Sequence, residues 1–128
     1  MFDLNSIAPI TAPRKPSEKL TWLVYAAPGT GKTLLAGSAS EVEAMSPVLL
    51  IDIEDGSSTL AHKYPDVEVV KVSDWKTCAS LIEALCANET KYRTVVVDSI
   101  HAMQTLILEW ADATGNGNGF EKWAHAFE

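Results

Sequence analysis

Several things are scarce in this 128-residue chain. Cysteine occurs only at Cys78 and Cys86. The two fall on what reads as one helix, about 12 Å apart along its axis. A disulfide needs Cα atoms within about 7 Å, so they do not bridge within that helix, and we expect two buried free thiols. No apolar run approaches the ~18–20 residues of a membrane span. The first ten residues carry Asp3 but no basic stretch and no apolar stretch, which argues against a secretory signal. Positive charge is in deficit, with 10 Lys and Arg against 17 Asp and Glu and a net charge of −7. That excludes a protein whose whole surface grips nucleic acid electrostatically. Arginine occurs only at Arg14 and Arg93. The three histidines, His62, His101 and His125, stand at no metal-ligand spacing from each other or from the cysteines.

What is present describes one globular domain. Hydrophobic residues make up 47% of the chain and charged residues 21%, which is incompatible with disorder throughout. Residues 1–19 hold Pro9, Pro13 and Pro16 among Arg14, Lys15 and Lys19, and read as an extended leader. Residues 20–128 read as the core. Leu20–Tyr25 is a short β-prone run, and a helix is expected from Lys32 to about Met45, stopped by Ser46-Pro47. Val48–Ile51 is continuously apolar, as in a strand covered on both faces. A short helix around Ser58–Lys63 and a strand at Val67–Val72 follow. Ser73 is the expected N-cap of a helix whose apolar face is Trp75, Cys78, Ala79, Ile82, Leu85 and Cys86. A strand at Thr94–Val97 closes on Asp98-Ser99. It leads into a helix with Met103, Leu106, Ile107 and Trp110 on one side. Gly115–Gly119 reads as a loop, and Phe120–Glu128 as the start of another helix. Trp22, Trp75, Trp110 and Trp123 fall at packing positions. Alternating strands and helices predict an α/β fold with a mainly parallel sheet in three layers.

The chemistry is concentrated after the first expected strand. Ala26-Ala27-Pro28-Gly29-Thr30-Gly31-Lys32-Thr33 fits the phosphate-binding pattern G-x-x-x-x-G-K-[ST], with Ala26 in the first glycine position. Gly29 and Gly31 permit a backbone path that turns successive N–H groups inward as an anion nest, at the mouth of a helix. Ala27, Pro28, Gly29, Thr30 and Gly31 would line the phosphates, Lys32 would reach the β- and γ-phosphates, and the Thr33 hydroxyl would ligate Mg²⁺. Asp98, at the end of an apolar strand, is placed to hold the same ion, usually through water.

Hydrolysis also needs a group that orients water. One design places a Glu directly after the metal-binding Asp, but here that residue is Ser99. Glu54, just past the preceding apolar strand, is the better candidate, with Asp52 and Asp55 as rivals. Lys32 and Glu54 are therefore the expected catalytic residues. A GTPase would carry N-K-x-D, which is absent, and a nucleotide kinase would need several lid arginines. A non-catalytic nucleotide-binding module stays open as an alternative.

Tyr25–Thr33 as Y-x-x-P-G-x-G-K-T, Ile51–Gly56 as I-D-x-E-x-G, and Val95–Ile100 together resemble the RecA-type ATPase core. They are similar in particular to the short RecA-like ATPases of phages linked to recombination and single-strand annealing. The resemblance runs from about Leu20 to the end. It implies ATP and Mg²⁺ as ligands, with Lys32 and Thr33 on phosphate and metal, Asp98 on metal and Glu54 as the catalytic carboxylate. It further implies homo-oligomers, single-stranded DNA and a single-strand-binding or annealing protein as partners, and a cytoplasmic location, in a bacterial host if phage-encoded. Gly115–Gly119 stands where such cores face DNA, but it lacks Lys, Arg and aromatic residues, so a connector is the simpler reading. In sheets of this class a later strand separates the phosphate-loop strand from the Asp98 strand. We therefore expect residues 20–128 to form the N-terminal portion of an incomplete core, with a minimal form of rearranged strand order as the alternative.

Overall fold

Five consecutive residues that favour burial or extended backbone, Val48-Leu49-Leu50-Ile51-Asp52, make the central strand of the sheet. In the computed structural model, which describes residues 19–114, this strand, β1 (Val48–Asp52), is buried along its whole length. It pairs in parallel with β2 (Glu68–Lys71) on one side and β3 (Thr94–Asp98) on the other, in the order β2-β1-β3. Parallel neighbours need crossovers; the one from β1 to β2 carries only a 3₁₀ turn at Ser57–Leu60. Between β2 and β3 runs α2 (Trp75–Ala87), and after β3 comes α3 (Ile100–Ala113). Before β1 lies the short α1 (Lys32–Gly37). The α/β class with a parallel sheet is as the alternation predicts.

The two-residue period of β1 sorts the core into two faces. Val48 and Leu50 pack with Ala39, Leu60, Tyr64 and Val67, and with Leu34 of α1 and Val96 of β3. Ile51 faces the other way, into a cluster with Val72, Cys78, Trp75, Leu81, Ile82, Met103 and Leu106 from α2 and α3. Asp52 and Asp98 continue the first face by period, the face that carries α1.

The structure departs from the sequence expectations at several places. Leu20–Tyr25 forms no strand, and Trp22, expected in the core, is 75% exposed. Strand propensity needs a ladder partner. Both sides of β1 are taken, and this segment pairs with no strand among the described residues. The helix after the phosphate loop stops at Gly37, well before Met45, and tightens into a 3₁₀ turn at Ser38–Glu41. Ser38 and Ser40 explain this. Their hydroxyls donate to the carbonyls of Leu35 (2.6 Å) and Gly37 (2.8 Å), competing with helical backbone bonding. The short helix expected around Ser58–Lys63 is a 3₁₀ turn at Ser57–Leu60.

The cap of α2 is Asp74, not Ser73, and its carboxylate accepts from the Thr77 N–H at 2.9 Å. Cys78 is buried but Cys86 is exposed, while Leu81, Ile82 and Leu85 of α2 pack into the core. β3 is only half buried, with Val95 43% exposed, since its second side has no ladder partner among the described residues. The leader over residues 1–18, Gly115–Gly119, Trp123 and the helix expected from Phe120 lie outside the described residues. No helix among the described residues is long and apolar enough to cross a membrane.

Candidate functional site

The glycine-rich turn has the backbone its residues permit. Gly29 (φ 75°) and Gly31 (φ 94°) both occupy the left-handed region, where a side chain is disfavoured. No heavy atom lies within 4 Å of where a Cβ would project from either glycine, so the inner side of the turn is open. The Thr30 hydroxyl closes the turn by donating to the Ala27 carbonyl at 2.7 Å. Helix α1 begins directly afterwards, with the Leu35 N–H on the Gly31 carbonyl at 2.9 Å. Lys32 folds back over the turn. Its Nζ donates to the carbonyls of Ala26 and Ala27, each at 3.1 Å. Those are weak neutral acceptors that an anionic phosphate outcompetes.

The next residue, Thr33, reaches the sheet. Its hydroxyl donates to Asp98 Oδ2 at 2.6 Å. Residues 65 positions apart, one from the glycine loop and one from a strand end, thus meet at the carboxyl end of the sheet. Both are hard oxygen donors of the kind Mg²⁺ takes. The open glycine turn, Lys32 and this oxygen pair fit a nucleotide phosphate with its divalent cation.

The three carboxylates after β1 have separate fates. Asp52 pairs level with Asp98 across the sheet, yet its side chain is 2% exposed and turned inward. It accepts the N–H groups of Gly56 and Ser57, both at 3.0 Å. Burial alone raises its pKa. The hydrogen bonds from Ser57, Gly56 and the Asp55 backbone outweigh that and hold it below the ordinary carboxylate value. Asp52 therefore fastens the loop. Asp55, at φ 61°, points outward to an exposed ion pair with Lys71. Only Glu54 remains exposed on the loop with a bond toward β3. It accepts from the hydroxyl of Ser99, which follows Asp98 directly. Ser99 also caps α3, accepting from the Ala102 N–H at 3.2 Å.

Of the three carboxylates weighed for the water-orienting task, Glu54 lies beside Ser99, Asp52 is bonded into its own loop and Asp55 is paired with Lys71. Two contacts, Thr33 with Asp98 and Ser99 with Glu54, are joined through the Asp98–Ser99 bond. The sequence reading passed over Ser99. The available signal was a hydroxyl residue between a strand-end Asp and a helix, the ordinary place of a cap.

A parallel α/β sheet with a glycine-rich phosphate turn and an opposed Thr and Asp defines a P-loop NTPase fold. A family model described as an AAA domain matches residues 18–124, and the chain belongs to that family. It is a nucleotide-binding domain of the ATPase type. No curated protein and no solved structure matches the chain.

Proposed function

We propose that this chain binds ATP with Mg²⁺ and hydrolyses it, as a phage RecA-like ATPase acting in DNA recombination and single-strand annealing. The observation that carries the ATP part is the Thr33–Asp98 contact, which brings the glycine loop and the β3 carboxylate to one point. In this reading the backbone N–H groups of Gly29, Thr30, Gly31, Lys32 and Thr33 bind the phosphates, Pro28 having none to give. Lys32 exchanges the Ala26 and Ala27 carbonyls for phosphate oxygens. Thr33 and Asp98 would hold the cation, which would supply positive charge against the phosphates. Glu54 accepts a proton from the attacking water and orients it. The DNA role, homo-oligomers and an annealing or single-strand-binding partner rest on the resemblance of Tyr25–Thr33 and Ile51–Gly56 to the phage enzymes.

The test is a fluorescent ATP analogue titrated with and without Mg²⁺, alongside phosphate release with and without single-stranded DNA. Wild type should bind in Mg²⁺ and release phosphate faster with DNA. Lys32→Ala should lose binding. Glu54→Gln should keep binding and lose turnover by about 10²–10⁴-fold. Failure of wild type to bind would refute the proposal. Binding without phosphate release would assign the chain to the non-catalytic nucleotide-binding modules, and turnover indifferent to DNA would remove the recombination role.

A further inference from the structure

Glu54 sits on an exposed loop, where a long side chain keeps most of its rotamer freedom. A carboxylate that must aim one oxygen at water needs something to hold the other. The structure assigns that task to Ser99. Building on the ATPase reading above, we propose that Ser99 is the positioning residue for the catalytic carboxylate.

The loop backbone is already fixed at its base, where Asp52 accepts the Gly56 and Ser57 N–H groups. The side chain is fixed by Ser99, whose hydroxyl donates to Glu54 Oε1. A hydroxyl has one proton to give and two lone pairs to receive. Ser99 Oγ uses a lone pair for the Ala102 N–H, so its direction is set by α3 and its proton is left for Glu54. That helix is a firm support. Ile107 and Ala111 are buried, and Met103 and Leu106 pack into the core beside β1. Because Ser99 follows Asp98, one short stretch of chain places Asp98 against Thr33 and Ser99 against Glu54. The two contacts thus start from adjacent residues of one chain segment. Glu54 Oε2 is left for water.

A residue that only capped α3 would behave differently, and three substitutions separate the roles. Ala removes both the cap and the donor. Gly removes the donor but is nearly as good a cap as Ser, and Thr keeps both. Full-length Ser99→Ala and Ser99→Gly should each lower kcat about ten- to a hundredfold, the worth of one hydrogen bond to a charged group. KM for ATP and affinity for the fluorescent analogue should stay within about twofold, because no phosphate contact is touched. Ser99→Thr should restore most of kcat. In a Glu54→Ala background the Ser99→Ala change should have no further effect on kcat. In urea unfolding without nucleotide, the same pair should be non-additive.

A Ser99→Gly variant with wild-type kcat would overturn the inference and leave the ATPase reading intact. So would additivity in the unfolding cycle. Wild-type protein that binds nucleotide and releases no phosphate would instead overturn the ATPase reading, and the positioning role with it.

Discussion

Replacing Asp52 tests whether the loop that carries Glu54 is fastened from beneath. The carboxylate is 2% exposed and accepts two backbone N–H groups, from Gly56 and Ser57, at 3.0 Å each. Hydrogen bonds to an ionised group contribute about 1.5–3 kcal/mol each. The turn is only partly buried, so water replaces some of the loss, and the low end applies. Asp52→Ala should cost about 3 kcal/mol, and Asp52→Asn about 2, since the amide oxygen satisfies one N–H while its NH₂ opposes the other. That is a large share of the ~5–15 kcal/mol typical of a domain.

The same bonds carry a pH signature. Burial raises the Asp52 pKa, but the bonds from Ser57, Gly56 and Asp55 lower it further, so the folded group holds its proton less readily than the unfolded one. Its contribution is complete above the unfolded value of about 3.9 and is lost as pH falls through the lower folded value. Urea unfolding followed by circular dichroism at pH 7 should therefore show the full gap between wild type and Asp52→Asn. The gap should narrow steadily below about pH 4, where the wild-type carboxylate takes up its proton. Glu54→Gln, on an exposed side chain, should shift stability by no more than about 0.5 kcal/mol at either pH. An Asp52→Asn protein as stable as wild type at pH 7 would refute the reasoning. So would a gap that did not change with pH.

Gly37→Ala should destabilise by about 1–3 kcal/mol in the same assay. Its Cβ would lie 2.7 Å from Leu60 Cδ2 and 2.8 Å from Tyr64 Cδ2, both in the core under α1; unchanged stability would mean that this packing yields freely. Asp74→Ala should cost about 1 kcal/mol while Ser73→Ala costs almost nothing, and the reverse order would restore Ser73 as the cap of α2. Thr33→Val should leave metal-free affinity for the ATP analogue unchanged and reduce the gain from Mg²⁺ about tenfold. An undiminished Mg²⁺ effect would place the cation away from the Thr33–Asp98 pair.

The sequence made legible whatever depends on near neighbours. The glycine turn could be read because its backbone need is local: Gly29 and Gly31 adopt the positive φ values their spacing suggests. β1 could be read because the run Val48–Ile51 has no polar residue to turn to solvent. The failures involve partners that local pattern does not name. Leu20–Tyr25 has strand propensity but pairs with neither edge of the sheet among the described residues. Ser73 and Asp74 are adjacent cap-forming residues, and only the direction of the chain entering α2 selects the second. Cys86 shares a helical stripe with Cys78, yet only Cys78 is buried, and the residues of α2 that pack inward beyond it are Leu81, Ile82 and Leu85.

Asp52 and Asp98 make the sharpest case. They end neighbouring parallel strands in matched register, and each follows an apolar run. Nothing in either residue distinguishes a structural carboxylate from one facing a ligand. The difference lies in the chain that follows. After Asp52 the path turns back through Asp55 in the left-handed region, so that the Gly56 and Ser57 N–H groups descend onto the carboxylate and consume its acceptors. After Asp98 the chain passes through Ser99 straight into α3, and the carboxylate meets the Thr33 hydroxyl instead. A strand-end aspartate faces the site when its own loop leads away from it. The residues three to five places beyond the Asp are therefore more informative about its role than the Asp itself.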